Sequence, residues 1–274
     1  MRTLSARCRA FWVRRIVRRP VVFRDRYGLR YSLEPTDDLA LYFTHRGWFE
    51  EGEQEFCRRY LRAGMTVVDV GAYIGVYACF LATLVGPQGR VHAFEPFPRS
   101  FERLTENIAR NGLTNVFANR QAVFSGHGAQ SIYIYAPPFE SLSSLVHAEQ
   151  SRTGGMLRSG TRMVVDTISL DDYCGDRGIP RIDLLKLDAE GAESKILEGA
   201  QVLLREERVG CLLFELGKNA KTLMESLKRD GFHLFMIAAN GFLEPVVEPG
   251  AVRGINGVAV HQSVVRTGVT LNNA

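Results

Sequence analysis

Cysteine is scarce in this chain and scattered along it, which excludes two classes of protein. The 274 residues contain five cysteines, with no C-x-x-C pair and no cysteine and histidine at metal-ligand spacing. Disulfide-stapled domains and structural zinc sites both require such pairs. We expect neither, and we take a reducing cytoplasm as the default compartment. The cysteines are Cys8, Cys57, Cys79, Cys174 and Cys211.

Lysine is also rare, at five residues against 29 arginines, and the basic charge is concentrated at one end. Residues 1–20 contain seven arginines and no acid, while the other 254 residues carry a net charge of −3. Nucleic-acid binders spread basic residues along a groove, so no nucleic-acid partner is expected. Phe11, Trp12 and Ile16 intersperse with the arginines as in an interfacial helix, which predicts peripheral contact with an anionic membrane at the inner face.

The basic tail leaves other interpretations open. A mitochondrial presequence has a similar composition, and a GC-rich genome produces arginine without functional demand. An apolar run that ends in a small-residue cleavage site is absent behind the arginines, so no secretory signal is expected.

The longest uncharged stretch, residues 70–89, is about as long as a membrane span. Asp69 precedes it, and glycines interrupt it at positions 71 and 75. A buried strand, a glycine-rich turn and a core helix explain the same residues. No membrane span is predicted.

Strand and helix patterns alternate through most of the chain, which predicts an α/β fold with a mostly parallel sheet and helices on both faces. Ligands of such sheets bind at the carboxyl ends of the strands. One helix is predicted over 192–206. The domain organisation that we predict is a basic tail (1–20), a β-hairpin and helical lead-in (21–63), a catalytic domain (64–265) and a second tail (266–274). An insertion after the third core strand (124–168) is expected to hold an extra hairpin and a mobile loop.

The strongest chemical signal is the strand-to-helix turn Asp69-Val70-Gly71-Ala72-Tyr73-Ile74-Gly75. Gly71 allows a sharp turn and Gly75 allows close packing of the following helix. Glu95 ends the next strand, where an acid can accept both hydroxyls of a ribose. Tyr73 stands where a dinucleotide fingerprint needs glycine, so NAD fits poorly. Asp69 attracts an ammonium or a sulfonium, and S-adenosylmethionine has both.

A second signal lies at the end of the fourth core strand, in Lys186-Leu187-Asp188-Ala189-Glu190-Gly191-Ala192-Glu193. Three carboxylates so close together are costly unless they bind cations or handle protons. The structural alternative is that Glu190 and Glu193 merely favour a helix N-terminus.

Five segments together resemble the FkbM-type S-adenosylmethionine-dependent methyltransferases. They occur in the family's order between residues 64 and 216, and they read VVDVGAYIGVYA, HAFEPFPRSFERLTENIARNG, DTISLDDYC, IDLLKLDAEGAESKILEGA and CLLFEL. The resemblance implies a Class I methyltransferase (Rossmann-like) fold, whose seven-stranded sheet has an antiparallel last strand. Known members methylate hydroxyls of sugars and polyketides.

The resemblance also assigns site residues. It implies that Asp69, Gly71, Gly75 and Glu95 hold the cofactor, and that Asp188, Glu190 and Glu193 line the reaction site. The family turn usually reads G-A-N, whereas this chain has Tyr73 in the third position. A tyrosine there could stack on the cofactor or cover it.

The function expected is therefore transfer of a methyl group to a hydroxyl of a sugar, glycan or natural product, with a carboxylate as base. No metal is required, although Asp188 and Glu190 could hold a divalent ion. The competing hypothesis is a degenerate methyltransferase fold that binds a membrane surface or nucleic acid through its basic tail. If the three acids are structural, Glu215 or His147 is the next candidate base. His127 is more simply a surface histidine.

Overall fold

The computed structural model describes residues 20–34, 39, 43, 50–134, 161–189, 191–216, 220–246 and 256–266. The basic tail, the middle of the insertion, Glu190 and His147 lie outside these ranges, so the predictions on them stay predictions. The strands are β1 (Val21–Arg24), β2 (Arg30–Leu33), β3 (Thr66–Val70), β4 (Arg90–Phe94), β5 (Val116–Asn119), β6 (Ala122–Val123), β7 (Gly128–Ile134), β8 (Thr161–Ile168), β9 (Ile182–Leu187), β10 (Val209–Glu215), β11 (Phe232–Ile237), β12 (Leu243–Pro245) and β13 (Asn256–His261).

The helices alternate with these strands, as the sequence pattern predicts. Within the described ranges they are α1 (Glu51–Tyr60), α2 (Val76–Val85), α3 (Pro98–Arg110), α4 (Leu170–Asp176), α5 (Glu193–Glu198), α6 (Gln201–Arg205), α7 (Ala220–Arg229) and α8 (Gln262–Arg266). None of these helices is long and apolar enough to cross a bilayer. The uncharged stretch 70–89 is divided among the end of β3, the turn and the ten-residue helix α2.

The central sheet has the strand order β12-β11-β13-β10-β9-β3-β4-β5. Strands β5, β4, β3, β9 and β10 are parallel, and β13 inserts antiparallel between β10 and β11. The mostly parallel sheet with an antiparallel last core strand confirms the predicted fold. The predicted count of seven strands is wrong by one, because a tight turn at Gly241 (φ +78°) folds residues 243–245 back along the edge of β11.

The side chains along each central strand alternate between two apolar layers, one on each face of the sheet. Val67 and Leu184 face α1, α2 and α3, whereas Val68 and Leu185 face α4 to α7. Successive side chains of a strand point to opposite faces, so Asp69 and Lys186 lie on the same face as Val67 and Leu184. The register of β3 and β9 makes Asp69 and Lys186 direct neighbours. A carboxylate and an ammonium therefore lie together in the layer beneath α1 and α2.

Two smaller sheets flank the central one. Strands β1 and β2 form the predicted N-terminal hairpin, and β2 is tied to α3 where the Ser32 amide donates to the Asn107 side chain. Within the insertion, β7 pairs antiparallel with β8, which confirms the extra hairpin, and β6, just before the insertion, pairs parallel with β8. The helix predicted over 192–206 is divided into α5 and α6 at Gly199 and Ala200. Position 199 requires glycine, because a Cβ there would lie 2.2 Å from the carbonyl oxygen of Phe124.

Candidate active site

The turn between β3 and α2 makes close contact with the loop that follows β9. Gly71 has a φ of +80°, and a Cβ at this position would lie 1.9 Å from the carbonyl oxygen of Asp188. Only glycine tolerates both this conformation and this contact. Gly75, with a φ of +87°, begins α2 against Leu104 of α3. Gly71 thus brings the loops after β3 and β9 together at the carboxyl edge of the sheet, and Gly75 lets α2 pack closely against α3.

Glu95 follows β4 directly and is oriented by the backbone. Its Oε2 accepts a hydrogen bond from the Tyr73 amide at 2.9 Å, and its Oε1 accepts one from the Phe97 amide at 2.9 Å. Burial raises the pKa of Glu95 to about 8, although both amide bonds act in the opposite direction. A carboxylate has about four lone-pair sites, so each oxygen keeps one for a further donor. The geometry suits a ligand that presents two neighbouring hydroxyls.

Tyr73 is the position at which this chain departs from the usual family turn, and the difference concerns the backbone conformation. Its φ of +49° is a left-handed conformation, which asparagine adopts more readily than tyrosine does. The half-buried ring lies near Arg103, with the guanidinium carbon 6.0 Å from the ring centroid. Because the bond to Glu95 comes from the backbone amide, the substitution affects strain in the turn and leaves this contact intact.

Asp69 is completely buried, and within the described residues neither carboxylate oxygen has a hydrogen-bond partner. The nearest cation is the Nζ of Lys186, 3.7 Å from Oδ1. Burial raises the pKa of Asp69, and Lys186 opposes this shift. A buried carboxylate without a full set of partners is costly, and a cationic ligand nearby would offset that cost.

Lys186 is a site residue that sequence reasoning did not single out. It is 5% exposed, and its Nζ donates to Asp188 Oδ2 at 3.1 Å. The same atom lies 4.7 Å from the centroid of the Tyr77 ring on α2. Although burial alone would lower the pKa of Lys186, the carboxylates of Asp188, Asp69 and Glu50 raise it above its ordinary value. The available signal was one lysine within the apolar strand IDLLKL.

Glu50 is the second residue that sequence reasoning missed. It immediately precedes α1, and its Oε2 accepts a hydrogen bond from the Tyr77 hydroxyl at 2.8 Å. Burial raises the pKa of Glu50 to about 7, with Lys186 opposing the shift and Asp188 adding to it. The lead-in segment thereby contributes a carboxyl group to the cluster at the carboxyl edge of the sheet.

The three acids predicted to line the reaction site do not share one environment. The Asp188 side chain is 40% exposed and bonded to Lys186. Glu193 is buried, and its Oε1 accepts hydrogen bonds from the amides of Ala189 at 3.3 Å and Gly191 at 3.1 Å. These bonds brace the loop before α5, and burial raises the pKa of Glu193. Glu190 lies outside the described residues.

The remaining candidate positions lie outside β3 and β9. Glu215 ends β10, the strand next to β9, and its charge adds to the raised pKa of Glu193, whereas His127 is exposed at the start of the insertion hairpin. In the described part of the chain, no group of three histidine, cysteine or acidic residues is arranged to hold a metal ion. The divalent ion considered for Asp188 and Glu190 therefore stays a prediction.

The strand order and the turn after β3 define a Class I, Rossmann-like methyltransferase fold. A family model described as the Methyltransferase FkbM domain matches residues 69–242, so the chain belongs to that family. The match begins at Asp69 and includes Glu95, Lys186 and Asp188, whereas Glu50 precedes it.

Curated relatives include the 31-O-demethyl-FK506 methyltransferase FkbM of Streptomyces tacrolimicus, which is 30% identical over 181 residues, covering 58% of this chain and 66% of that protein. The hexuronic acid methyltransferase AglP of Haloferax volcanii is 30% identical over 176 residues, covering 63% of this chain and 64% of that protein. The alignments thus span slightly less than two thirds of these relatives' own lengths.

A solved structure of methyltransferase FkbM from Methylobacillus flagellatus is 16% identical, covers 73% of this chain and 44% of that chain, and gives a TM-score of 0.46. A SAM-dependent O-methyltransferase from Thermotoga maritima is 16% identical, covers 88% of this chain and 78% of that chain, and gives a TM-score of 0.45.

Proposed function

We propose that this protein transfers the methyl group of S-adenosylmethionine to a hydroxyl group of a sugar, glycan or natural product. The observation that carries the proposal is the Glu95 carboxylate, fixed by two backbone amides beside the turn that contains Gly71. In a chain of the FkbM methyltransferase family, this arrangement fits the ribose of the methyl donor.

The charges near the turn also suit this cofactor. Asp69, Asp188 and Glu50 surround the single ammonium of Lys186, so the cluster holds more acids than it can neutralise. S-adenosylmethionine adds an ammonium and a sulfonium, and its bound form supplies an electrophilic methyl group. Acids at the carboxyl edge attract these charges, and the orphaned oxygens of Asp69 favour a cationic group over a phosphate.

The protein's contribution to rate would come mainly from positioning. Glu95 fixes the nucleoside end over β4, and the contact between Gly71 and the Asp188 carbonyl closes the loops over β3 and β9. Holding two reactants at near-attack distance removes much of the entropic barrier to a bimolecular reaction. A hydroxyl acceptor additionally needs a base, because its oxygen becomes acidic as the new carbon bond forms.

The relatives support the proposed acceptor class. One is named for 31-O-demethyl-FK506, in which the methylated group is a hydroxyl, and the other for a hexuronic acid, which is a sugar acid. We extend the O-methylation named for the first of these relatives to this chain. The insertion and the lead-in would then select among acceptors.

Titration calorimetry with S-adenosylmethionine, S-adenosylhomocysteine and NAD tests the cofactor assignment. We expect both sulfur compounds to bind and NAD to give no signal. Transfer of a labelled methyl group is then assayed with methyl β-D-glucuronide and with extracts of the source cell. Tight binding of NAD without any response to S-adenosylmethionine would refute the proposed function.

A further inference from the structure

We propose that Glu50 is the base that takes the proton from the acceptor hydroxyl. The proposal rests on the proposed function and adds a catalytic residue to it. Glu50 precedes the segment that matches the family model, which begins at Asp69. The lead-in would therefore supply a reacting group as well as a cover for the sheet.

The position of α1 places Glu50 on the acceptor side of the sheet. Glu53, one turn into α1, accepts a hydrogen bond at 3.0 Å from Asn256, which pairs with Glu215 at the end of β10. Gly52 lies against the Ala238 carbonyl after β11. The start of α1 thus covers the carboxyl ends of β10 and β11 and the amino end of the antiparallel strand β13. Glu95 follows β4, on the opposite side of β3 from these strands. With the nucleoside over β4, the acceptor is left with the side that Glu50 occupies.

The contacts of Glu50 hold its carboxyl group beside the other charged residues of the cluster. The Tyr77 hydroxyl donates to Oε2 at 2.8 Å, and the ring of Tyr77 underlies the Lys186 ammonium. Lys186 in turn bonds to Asp188 and lies beside Asp69. The carboxyl group of Glu50 is therefore held in one orientation at the edge where the strands β3 and β9 end.

The backbone at Glu50 supports a functional interpretation. Its φ of +50° and ψ of +68° are left-handed, a conformation in which non-glycine residues are strained. Glu50 occupies the N-cap position of α1, yet its side chain makes no capping hydrogen bond. Helix capping therefore does not account for the strain. Strained residues of this kind concentrate at active sites, where surrounding contacts hold them in place.

The other acids of the cluster are less suited to receive a proton from an acceptor. Asp69 has no exposed surface, so an acceptor hydroxyl has no approach to it. Asp188 is engaged by the Lys186 ammonium, and Glu193 accepts two backbone amide bonds. Glu50 retains partial exposure, and burial raises its pKa to about 7, near the optimum for a base at neutral pH.

The step balances without a co-reactant. The acceptor O–H bond breaks and its proton passes to the Glu50 carboxylate, while the acceptor oxygen forms a bond to the methyl carbon. The carbon–sulfur bond of the sulfonium breaks, its electron pair stays on sulfur, and a neutral thioether leaves. Glu50 returns the proton to water before the next turnover.

The first test titrates the Glu50 carboxyl in the full chain by NMR of ¹³C-labelled glutamate, with assignment from Glu50→Gln. The titratable groups that act on Glu50 are Tyr77 from α2, Lys186 from β9, Asp188 directly after β9, and Glu53 from α1. We expect a pKa near 7 that falls by about one pH unit more with S-adenosylmethionine than with S-adenosylhomocysteine, because only the former carries a sulfonium. The exposed Glu51 is the control and should shift equally with both compounds.

The second test is kinetic and uses methyl β-D-glucuronide as the hydroxyl probe. Glu50→Gln should lower kcat by about 10² to 10⁴ and abolish the acidic limb of the pH profile, with the Kd of S-adenosylmethionine rising by no more than about tenfold, the change that a pKa shift of one unit implies. Glu50→Asp should restore part of kcat and the acidic limb. Glu51→Gln, next in sequence and paired with Arg26 at the surface, should behave as the parent.

The outcomes separate this proposal from the proposed function. The base assignment alone is overturned if both sulfur compounds bind but the Glu50 pKa is ordinary, near 4.5. It is also overturned if the Glu50 pKa is the same in both complexes. Undiminished turnover in Glu50→Gln does the same. If neither compound binds, the proposed function fails and the base assignment fails with it.

Discussion

Replacing Glu95 by glutamine perturbs the cofactor pocket at a single pair of atoms. In the parent protein each carboxylate oxygen accepts one backbone amide, from Tyr73 and from Phe97, and both amides lie at 2.9 Å. A carboxamide has one acceptor oxygen and one NH₂ group. In either orientation, the NH₂ of Glu95→Gln faces a backbone N–H, and only one oxygen remains to accept from a ribose.

The magnitude follows from the lost acceptor. Above pH 8, where Glu95 is ionised, a hydrogen bond to this charged group contributes about 1.5–3 kcal/mol, which corresponds to a rise of about 10- to 150-fold in Kd. The loss should be equal for S-adenosylmethionine and S-adenosylhomocysteine, because the ribose is common to both. The amide of Tyr73 or Phe97 that faces the NH₂ loses its partner as well, so the melting temperature of the unliganded protein should also fall.

Calorimetry with both sulfur compounds measures the affinity, and differential scanning calorimetry measures the stability. Glu102→Gln is the matched control, since Glu102 is exposed on α3, seven residues further along the chain. Glu95→Asp keeps the charge but shortens the side chain by one methylene, and it should also bind weakly. If Glu95→Gln binds within twofold of the parent, or if only the sulfonium compound loses affinity, the ribose assignment is wrong.

Three further predictions concern pH, buried charge and the basic tail. Burial raises the Glu95 pKa from 4.5 to about 8, so the stability of the free protein should fall as pH rises between these values. Cofactor affinity should weaken below pH 8, where Glu95 becomes protonated. Both pH dependences should be smaller in Glu95→Gln. Lys186→Met leaves Asp69 and Asp188 without their cation and should destabilise by about 3–5 kcal/mol in urea unfolding, with a smaller deficit in acid. Deleting residues 1–20 should abolish flotation with anionic vesicles, and unchanged flotation would assign the tail another role.

The central sheet was predictable because its signals are local. Apolar strands such as TVVDV and IDLLKL, each followed by a helix pattern, require a parallel sheet covered on both faces. The eighth strand was not predictable, since β12 is three residues long and is held by pairing with β11. The requirement for glycine at position 199 was equally hidden, because it depends on the Phe124 carbonyl, which is distant in sequence.

The candidate site was predictable where one segment contains the whole signal. Gly71 and Glu95 follow consecutive strands, and the geometry that joins them arises from the β3–β4 pairing. Lys186 was visible in the motif, but its importance depends on register, which sets it beside Asp69 across two strands far apart in sequence. Glu50 gave no sequence signal at all, because its contact to Tyr77 depends on how α1 packs against α2.

The buried lysine explains why acids accumulate at this edge. An ammonium in the layer beneath α1 and α2 would be expelled or neutralised unless carboxylates held its charge, and Asp188 and Asp69 meet that requirement. A third carboxyl, Glu50, exceeds it, and burial disfavours its ionised form before a cation arrives. Binding of a cationic methyl donor would then promote ionisation of Glu50, and the proton acceptor would become available only when there is a methyl group to transfer.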